Sequence, residues 1–351
     1  MPDRTRSLTA LPKAHLHLHF TGSMRVQTVR EMAEQHGMRL PHAFTTQWPP
    51  QLSGHDERGW FRFQRLYDAA RACVRGEADM RRIVREAAED DAAEGSRWLE
   101  LQVDPTSYAP FVGGLTPALE IVLDEAAAAS RDTGTQVAIV VAASRMRHPL
   151  DARTLARLAA RYAGDGAGTV VGFGLSNDER RGSTGDFEAA FRIARRAGLA
   201  SVPHAGELLG ADHVHVALEH LVPDRLGHGV RAVEDPAVLD RVVQEQITLE
   251  VCPGSNVALG VYASHEHVPL PHLLEVGARV ALGADDPLLF GSRLADQYVS
   301  ARLDHELDDA ALAQLARGSI EGSAAPVEVR RELLAEVDAW LADAPDRAAS
   351  G

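Results

Sequence analysis

Short apolar runs alternate with longer amphipathic stretches along most of the chain. Each run is almost continuously apolar or rich in Val, Ile and Leu, which is typical of strands in a parallel sheet buried on both faces. The pattern predicts eight strands: Ala14–His19, Trp98–Val103, Gln136–Val141, Thr169–Leu175, Ala200–His204, Asp224–Leu226, Ile247–Cys252 and Ala278–Gly283.

Between these runs, apolar residues recur at helical spacing, which predicts helices. Gly198 and Gly277 follow two of these stretches, at the position where helices often end with glycine. The predicted helices are Met80–Ala93, Pro117–Ser130, Ala152–Ala163, Asp186–Ala197 and Pro236–Gln244. Eight strands that alternate with helices predict an α/β fold, the (β/α)8 TIM barrel. A doubly wound open sheet would alternate similarly, so the pattern alone does not distinguish that fold from the barrel.

Two segments depart from the alternation. Residues 21–95 form a long insertion after the first strand, with a Pro-rich loop and an amphipathic stretch, Trp60–Cys73. Such an insertion predicts a helical lid over the site of a barrel. Residues 310–343 are predicted to form extra C-terminal helices. We expect the whole chain, residues 1–351, to be one barrel domain.

Composition and charge narrow the class of protein. The chain is 45% hydrophobic and 25% charged, which is a globular composition. It lacks both an apolar run of the ~20 residues needed to span a bilayer and a secretory leader, so we expect a cytoplasmic protein without a membrane partner. Its net charge of −14 argues against nucleic acid as a partner. A homo-oligomer is compatible with the sequence.

The first candidate for chemistry is the alternation of His15, His17 and His19 along the first strand. Alternate strand residues point the same way, so the three imidazoles are expected to share one face. A single buried histidine is usually a core residue, but three in alternation favour a metal site. Imidazole nitrogen suits zinc, iron, nickel or copper.

Three further motifs follow predicted strands. They are His-Ala-Gly-Glu at 204–207, Arg-Leu-Gly-His-Gly at 225–229 and Ala-Asp-Asp-Pro at 284–287. Singly, each is compatible with a helix cap. Together they fall at the strand C-termini, where barrel enzymes gather their catalytic residues. Histidines, a carboxylate and a separate Glu at one face predict a metal-assisted hydrolase.

In combination the motifs resemble those of the adenosine deaminase family of the amidohydrolase superfamily. That family has His-x-His on strand one, His-Ala-Gly-Glu on strand five, Arg-φ-Gly-His-Gly on strand six, Cys-Pro-x-Ser-Asn on strand seven and Asp-Asp-Pro on strand eight. This chain has PKAHLHLHFTG, HAGE, RLGHG, CPGSN and ADDPLLFGS at the matching places, between about Leu11 and Leu294.

The resemblance implies hydrolytic deamination of a 6-aminopurine nucleoside with one Zn2+ per chain. The implied zinc ligands are His17, His19, His204 and Asp285. The implied catalytic residues are Glu207, which would protonate purine N1, His228, which would orient the attacking water and act as a base, and Asp285. Asp286 would hydrogen-bond N7. Binuclear relatives in this superfamily use a carboxylated lysine from the middle of the barrel to bridge two metal ions. Lys13 is the only lysine of this chain and precedes the first predicted strand, so a single metal ion is expected. The Pro-Cys-x-x-Cys signature of cytidine-type deaminases is also absent.

The residues implied to contact substrate are His19, Thr21, Asn177, Asp286, Phe61 and Phe63. Thr21 replaces a family Asp that accepts a hydrogen bond from the ribose 5′-hydroxyl, and Asn177 replaces a Gly whose N–H binds N3. His15 replaces a usual Glu and Gln102 a usual Arg; both are interpreted as structural.

Loss of the family carboxylate at Thr21 predicts a preference for a 5′-modified adenosine such as 6-aminodeoxyfutalosine, whose arm bears a benzoate. Arg25, Arg62 and Arg65 are candidates to meet that carboxylate. Ordinary adenosine or deoxyadenosine is the next candidate, followed by adenine. A non-catalytic nucleoside-binding relative and a barrel enzyme that cleaves esters or amides are the alternatives outside this class.

Overall fold

Eight parallel strands form a nearly closed barrel in the computed structural model, which describes residues 6–52 and 57–343. Each strand pairs with its neighbours in sequence, in the order β1 to β8. The strands are β1 Lys13–His19, β2 Ser96–Val103, β3 Gln136–Ser144, β4 Val170–Ser176, β5 Ala200–Ala205, β6 Arg225–His228, β7 Thr248–Val251 and β8 Val280–Leu282. This is the (β/α)8 fold that the alternating pattern predicts, and the open sheet is excluded.

Helices follow the strands around the outside of the barrel. The α-helices are α1 Val26–Gln35, α2 His42–Thr45, α3 Glu57–Arg71, α4 Glu77–Ala93, α5 Ala109–Val112, α6 Leu115–Thr133, α7 Pro149–Arg161, α8 Glu188–Arg196, α9 Ala211–Leu221, α10 Pro236–Gln244, α11 Pro253–Ala258, α12 Leu270–Glu275, α13 Pro287–Phe290, α14 Leu294–Leu303, α15 Asp309–Gly322 and α16 Val327–Ala342. Short 3-10 helices occur at Pro105–Ser107, Thr184–Phe187, Val230–Glu234 and His265–His267.

The insertion after β1 contains α1 to α4, and α15 and α16 are the extra C-terminal helices. Part of the predicted Pro-rich loop, residues 53–56, lies outside the described residues, as do residues 1–5 and 344–351. In the part of the chain that the structure describes, none of the helices has the length and apolar character needed to cross a membrane.

The buried core continues from the strands into the helix layer. Bulky apolar side chains such as Trp98, Phe173 and Leu249 are fully buried. The barrel interior also holds charge: the guanidinium of Arg225 donates to Glu250 at 2.7 Å and to Glu100. Charges of both signs in contact are compatible with burial, whereas an unpaired ion would be costly. Glu250 connects this buried ion pair to the site above it.

Candidate active site

One cavity opens at the C-terminal end of the barrel, where motifs from four strands converge. Its empty volume is about 790 Å³, including the part open to solvent. The polar and charged residues that line its inner part are His19, Gln102, His204, Glu207, His228, Asp285 and Asp286. This is the face on which TIM-barrel enzymes carry their active sites.

Four histidines and one aspartate meet at the base of this cavity. Nε2 of His19 lies 3.3 Å from Oδ1 of Asp285 and 3.2 Å from Nε2 of His204. Nε2 of His17 lies 3.7 Å from the same Asp285 oxygen. The ring of His228 has its centroid 4.8 Å from that of His17. Nitrogen and oxygen atoms this close, in a buried pocket, form a set of potential ligands that could hold a metal ion.

The orientation of His17 is set from below by Glu250. Nδ1 of His17 lies 2.8 Å from Oε2 of Glu250, so Nδ1–H donates and Nε2 is left facing the cavity. Nε2 has no hydrogen-bond partner among the residues described. A carboxylate that binds the second nitrogen of an imidazole is the usual support of a metal-ligating histidine. The buried, unpartnered Nε2 of His17 is therefore the feature of this cluster that best fits a bound metal ion.

Charge states in the cluster also suit a divalent cation. Burial lowers the pKa of His204 well below its ordinary value, and the neighbouring His17 lowers it further, so His204 is neutral. Burial raises the pKa of Asp285, but the neighbouring imidazoles of His17 and His19 outweigh it and keep this carboxyl ionised. Neutral imidazole and ionised carboxylate are the forms that bind metal.

Cys252 lies close enough to His228 and Asp285 to complete another group of potential ligands. Burial, followed by the charge of Asp285, raises the pKa of its thiol well above the ordinary value. Because the thiolate is the form that binds metal, the neutral Cys252 is a poor ligand. Cys252, which is fully buried, is therefore interpreted as a core residue.

Glu207 is buried beside this cluster, with Oε2 located 3.6 Å from Nε2 of His228. Burial raises its pKa well above the ordinary value, and the charges of Asp285 and Glu179 raise it further. His228 is affected in the opposite direction: burial and His17 lower its pKa to about 3. The cavity therefore offers a protonated carboxyl and a neutral imidazole side by side, the pairing needed for general acid and base catalysis.

Glu179 holds the loop that carries Glu207, and the sequence motifs did not identify it as part of the site. Its buried carboxylate accepts the backbone N–H groups of Glu207 at 3.2 Å and of Leu208 and Leu209 at 2.9 Å. Three convergent donors fix the loop, and the negative charge of Glu179 favours the protonated form of Glu207.

Asp286 is buried next to Asp285 and faces the cavity with its Oδ1 unpartnered within residues 6–52 and 57–343. Burial and the charge of Asp285 raise its pKa well above the ordinary value, so this carboxyl can donate a hydrogen bond. A Cβ on Gly22 would lie 1.7 Å from Oδ1 of Asp286. Glycine at position 22 thus leaves the space in which the Asp286 side chain fits.

Thr21 and Asn177 both line the cavity. Oγ1 of Thr21 lies 2.5 Å from the hydroxyl of Tyr108, a residue that no sequence motif marked. Asn177 has a positive φ of 81°, and its own Oδ1 accepts the N–H of Asp178 at 2.8 Å. His228 and Asp285 also have positive φ, at 64° and 61°. Such conformations in non-glycine residues cost free energy and concentrate at functional sites.

Helix α3 covers the outer cavity with one face. The residues on that face that line the cavity are Trp60, Phe63, Gln64, Tyr67 and Arg71. Phe61 is not among them: its side chain turns away from that face and is 62% exposed. The reason is the helical period, because side chains three or four positions apart share a face whereas a neighbour at i+1 turns away. The same period read in the sequence would have selected Trp60, Phe63 and Tyr67 and rejected Phe61.

His15 does not join the other two histidines, contrary to the expected shared face. Between His15 and Leu18 the register of β1 against β2 shifts, because three steps along β1 match only two along β2. This bulge breaks the strict alternation, and the His15 ring contacts Asp91 of α4 at 2.9 Å. Gln102, interpreted from the sequence as structural, instead lines the cavity, with both amide atoms buried and unpartnered within the described residues.

The three arginines named as candidates for a substrate carboxylate lie elsewhere. Arg25 pairs with Asp90 at 2.7 Å and with Glu89 at 3.0 Å. Arg62 and Arg65 are exposed and do not line the cavity. Arg71, which the motifs did not identify, is the only guanidinium among the described lining residues.

A (β/α)8 barrel with a histidine and aspartate cluster at its C-terminal end is an arrangement typical of metal-dependent hydrolases. The sequence matches the family profile described as adenosine deaminase over residues 12–340. The chain belongs to the adenosine deaminase family, and it is a hydrolytic deaminase.

Named relatives cover almost the whole chain. A putative adenosine/adenine deaminase of Streptomyces virginiae is 62% identical over 339 residues, which are 97% of this chain and 99% of the relative. An adenine deaminase of Mesorhizobium japonicum is 35% identical, over 93% of this chain and 98% of the relative. The crystal structure of adenine deaminase from Arthrobacter aurescens superposes with a TM-score of 0.87 and 30% identity, covering 95% of this chain and 99% of that one.

Proposed function

We propose that this chain catalyses the zinc-dependent hydrolytic deamination of a 6-aminopurine, releasing ammonia and the 6-oxopurine. The proposed ligands of one zinc ion are His17, His19, His204 and Asp285. Four ligands of the nitrogen and oxygen type, close together and buried, suit zinc. When bound, zinc would lower the pKa of a bound water and so supply hydroxide near neutral pH.

Side chains of this protein then accept and donate the protons of the reaction. Neutral His228 accepts a proton from the attacking water and orients it toward C6 of the purine. Protonated Glu207 donates its proton to N1, the ring nitrogen that gains electrons as C6 is attacked. Asp286 donates a hydrogen bond to N7. The bond between C6 and the amino nitrogen then breaks: the amino group takes the proton held by His228 and leaves as ammonia, and the proton of the C6 hydroxyl passes to Glu207, which restores both groups. The raised pKa values of Glu207 and Asp286 support their roles as donors, and the lowered pKa of His228 keeps its imidazole neutral, with a nitrogen lone pair available to the attacking water.

The preferred substrate in this proposal is an adenosine with a large 5′ substituent, of which 6-aminodeoxyfutalosine is an example. The observation that carries this preference is Thr21 in the lining of the cavity. Threonine has no carboxylate to accept a hydrogen bond from a ribose 5′-hydroxyl, and the Thr21 hydroxyl already makes a hydrogen bond with Tyr108. The same cavity is lined by the aromatic side chains of Trp60, Phe63 and Tyr67, against which a 5′ substituent would pack.

Arg71 supports an acidic arm on that substituent. Its guanidinium lines the outer cavity, and it contacts the Tyr67 ring at 5.7 Å from the centroid. Its partner Asp68 is half exposed, so water competes with that pairing. A planar guanidinium is suited to bidentate binding of a carboxylate.

Free adenine is the second candidate. The adenine deaminases among the relatives favour it, and so does Gln102, which is 1% exposed with both amide atoms unpartnered in the described part of the chain. A carboxamide offers one acceptor and one donor, which complement N9–H and N3 of an unsubstituted purine base. A nucleoside lacks that N9–H.

Competition between substrates tests the proposal. We expect kcat/KM for 6-aminodeoxyfutalosine to exceed that for adenosine and for adenine by roughly tenfold or more, about 1.4 kcal/mol in transition-state binding. An adenine preference would favour the second candidate, and an adenosine preference would mean that Thr21 does not set specificity. If none of the three substrates releases ammonia, the proposed reaction is wrong.

A further inference from the structure

The barrel closes between β1 and β8 through a single residue, Asp285. In the described part of the chain, these two strands share no regular ladder; Leu18 and Asp285 form an isolated parallel bridge. The N–H of Asp285 donates to the carbonyl of His17 at 3.0 Å, and its carbonyl accepts the N–H of His19 at 3.0 Å. The same residue thus joins the ends of the sheet and faces the proposed metal site.

The backbone of Asp285 is in a conformation that needs support. Its φ of 61° lies in the left-handed region, which side chains with a Cβ rarely adopt. Such a conformation persists only where surrounding contacts fix it. Two of those contacts are the backbone hydrogen bonds to β1, and the third acts one residue earlier.

That third contact comes from His15. The N–H of Ala284 donates to Nε2 of His15 at 3.0 Å. On the other side of the ring, Nδ1 lies 2.9 Å and 3.1 Å from the two carboxylate oxygens of Asp91. Since a carboxylate only accepts, Nδ1 carries a proton, and the N–H of Ala284 needs the lone pair of Nε2. Nε2 also lies 3.1 Å from the carbonyl oxygen of His17, which itself accepts the N–H of Asp285, so the ring contacts both chain segments that meet at Asp285. All three groups are buried, so water does not substitute for them.

We infer that His15 is a positioning residue for the metal site: through Ala284 it holds the strained Asp285 backbone and directs the Asp285 carboxylate toward His17 and His19. The inference rests on the proposed metal site. His15 itself points to α4 and takes no part in the ligand group. Its function depends on one atom, the acceptor nitrogen Nε2.

Two substitutions separate this role from ordinary core packing. In His15→Gln, the carboxamide reaches as far as Nε2 and can still accept the Ala284 N–H, but it gives up the Nδ1 contact with Asp91. In His15→Asn, the shorter carboxamide can still donate to Asp91, but the Ala284 N–H loses its acceptor. Each variant leaves one buried partner unsatisfied, so the two serve as matched controls for stability.

The measurements are the zinc dissociation constant of the full chain, by competition with a chelator, and the thermal midpoint of the metal-free protein. We expect His15→Asn to weaken zinc binding about 10- to 100-fold, the usual effect of losing a residue that orients a ligand. His15→Gln should stay within about threefold of wild type. The visible absorption of the Co2+-substituted proteins should change only in His15→Asn, because only there is the ligand geometry disturbed.

Equal zinc affinities in the two variants, or weaker binding by His15→Gln, would overturn the inference. So would losses of affinity that simply follow the thermal midpoints of the metal-free proteins. If wild type binds no zinc, the proposed metal site is wrong and the inference falls with it. Failure of the inference alone is therefore distinguishable from failure of the proposed function.

Discussion

Nδ1 of His17 and Oε2 of Glu250 are 2.8 Å apart at the base of the cavity, and both residues are fully buried. The carboxylate keeps the proton on Nδ1, so Nε2 is the nitrogen available to a metal. Although burial opposes its ionisation, Arg225 and His17 lower the pKa of Glu250, which is ionised. The ion pair inside the barrel and the proposed zinc site therefore form one connected structure.

This connection predicts the effect of Glu250→Gln. The amide cannot hold the imidazole as a charged acceptor does, so zinc affinity should fall about 10- to 100-fold. Glu100→Gln is the matched control, because Glu100 also pairs with Arg225, and it accepts hydrogen bonds from Trp98 and Ala324 and not from His17. Zinc affinity measured against a chelator should fall in the first variant only. Equal losses would mean that Arg225, and not the Glu250–His17 contact, controls the site.

Zinc uptake should release a proton from His17. Burial lowers the pKa of His17, but Asp285 and Glu250 raise it more, to about 10 in the metal-free protein. Near pH 7.5 the metal must therefore displace a proton, and the apparent affinity should rise as pH increases toward that pKa. Calorimetry in buffers of different ionisation enthalpy measures the number released. We expect about one proton from His17, and none would contradict this charge state.

Glu179→Gln should shift the pH profile without removing the acid. The charge of Glu179 helps to raise the pKa of Glu207, so its loss lowers that pKa. Glu207 acts in its protonated form, and activity is lost as pH rises through its pKa. The alkaline limb of kcat against pH should therefore move to lower pH in the variant. A uniform decrease at every pH would indicate only a disordered 207–209 loop.

Arg71→Met should affect substrates according to their charge. The variant removes the guanidinium at the outer cavity and keeps an apolar stem of similar length. We expect KM to rise about tenfold or more for a 5′-substituted adenosine with a carboxylate and to change little for adenine. Arg62→Met, on the exposed face of the same helix, is the control. An equal effect on both substrates would exclude a role for Arg71 in binding the acidic arm.

The sequence predicts the barrel and the inner site more fully than the outer cavity. The topology brings the carboxyl ends of the strands to one face, and the inner-site residues all lie near such an end. They are His17, His19, His204, Glu207, His228, Asp285 and Asp286. Tyr108 and Glu179 lie in loops, whose paths depend on tertiary packing, so periodicity does not reveal their contacts. Phe61 is different, since the helical period already places it away from Phe63.

His15 shows where a local rule gives way to tertiary structure. Strict alternation would direct it with His17 and His19, but the bulge in β1 turns it to Asp91. A bulge inserts one residue against the partner strand, and the sequence of β1 carries no glycine that would signal it. Likewise, Gln102 faces the cavity because its register position is opposite His19, a pairing that requires the folded sheet.

Ammonia release by wild type and by Glu207→Gln, measured at matched zinc content, tests the central assignment most directly. The amide keeps the shape of the side chain but cannot protonate N1, so the variant should fold, bind one zinc per chain and lose about 10²–10⁴-fold in kcat. That result is predicted for whichever 6-aminopurine wild type deaminates best. A zinc-loaded variant with nearly normal kcat would contradict the account, because Glu207 would then not be the acid.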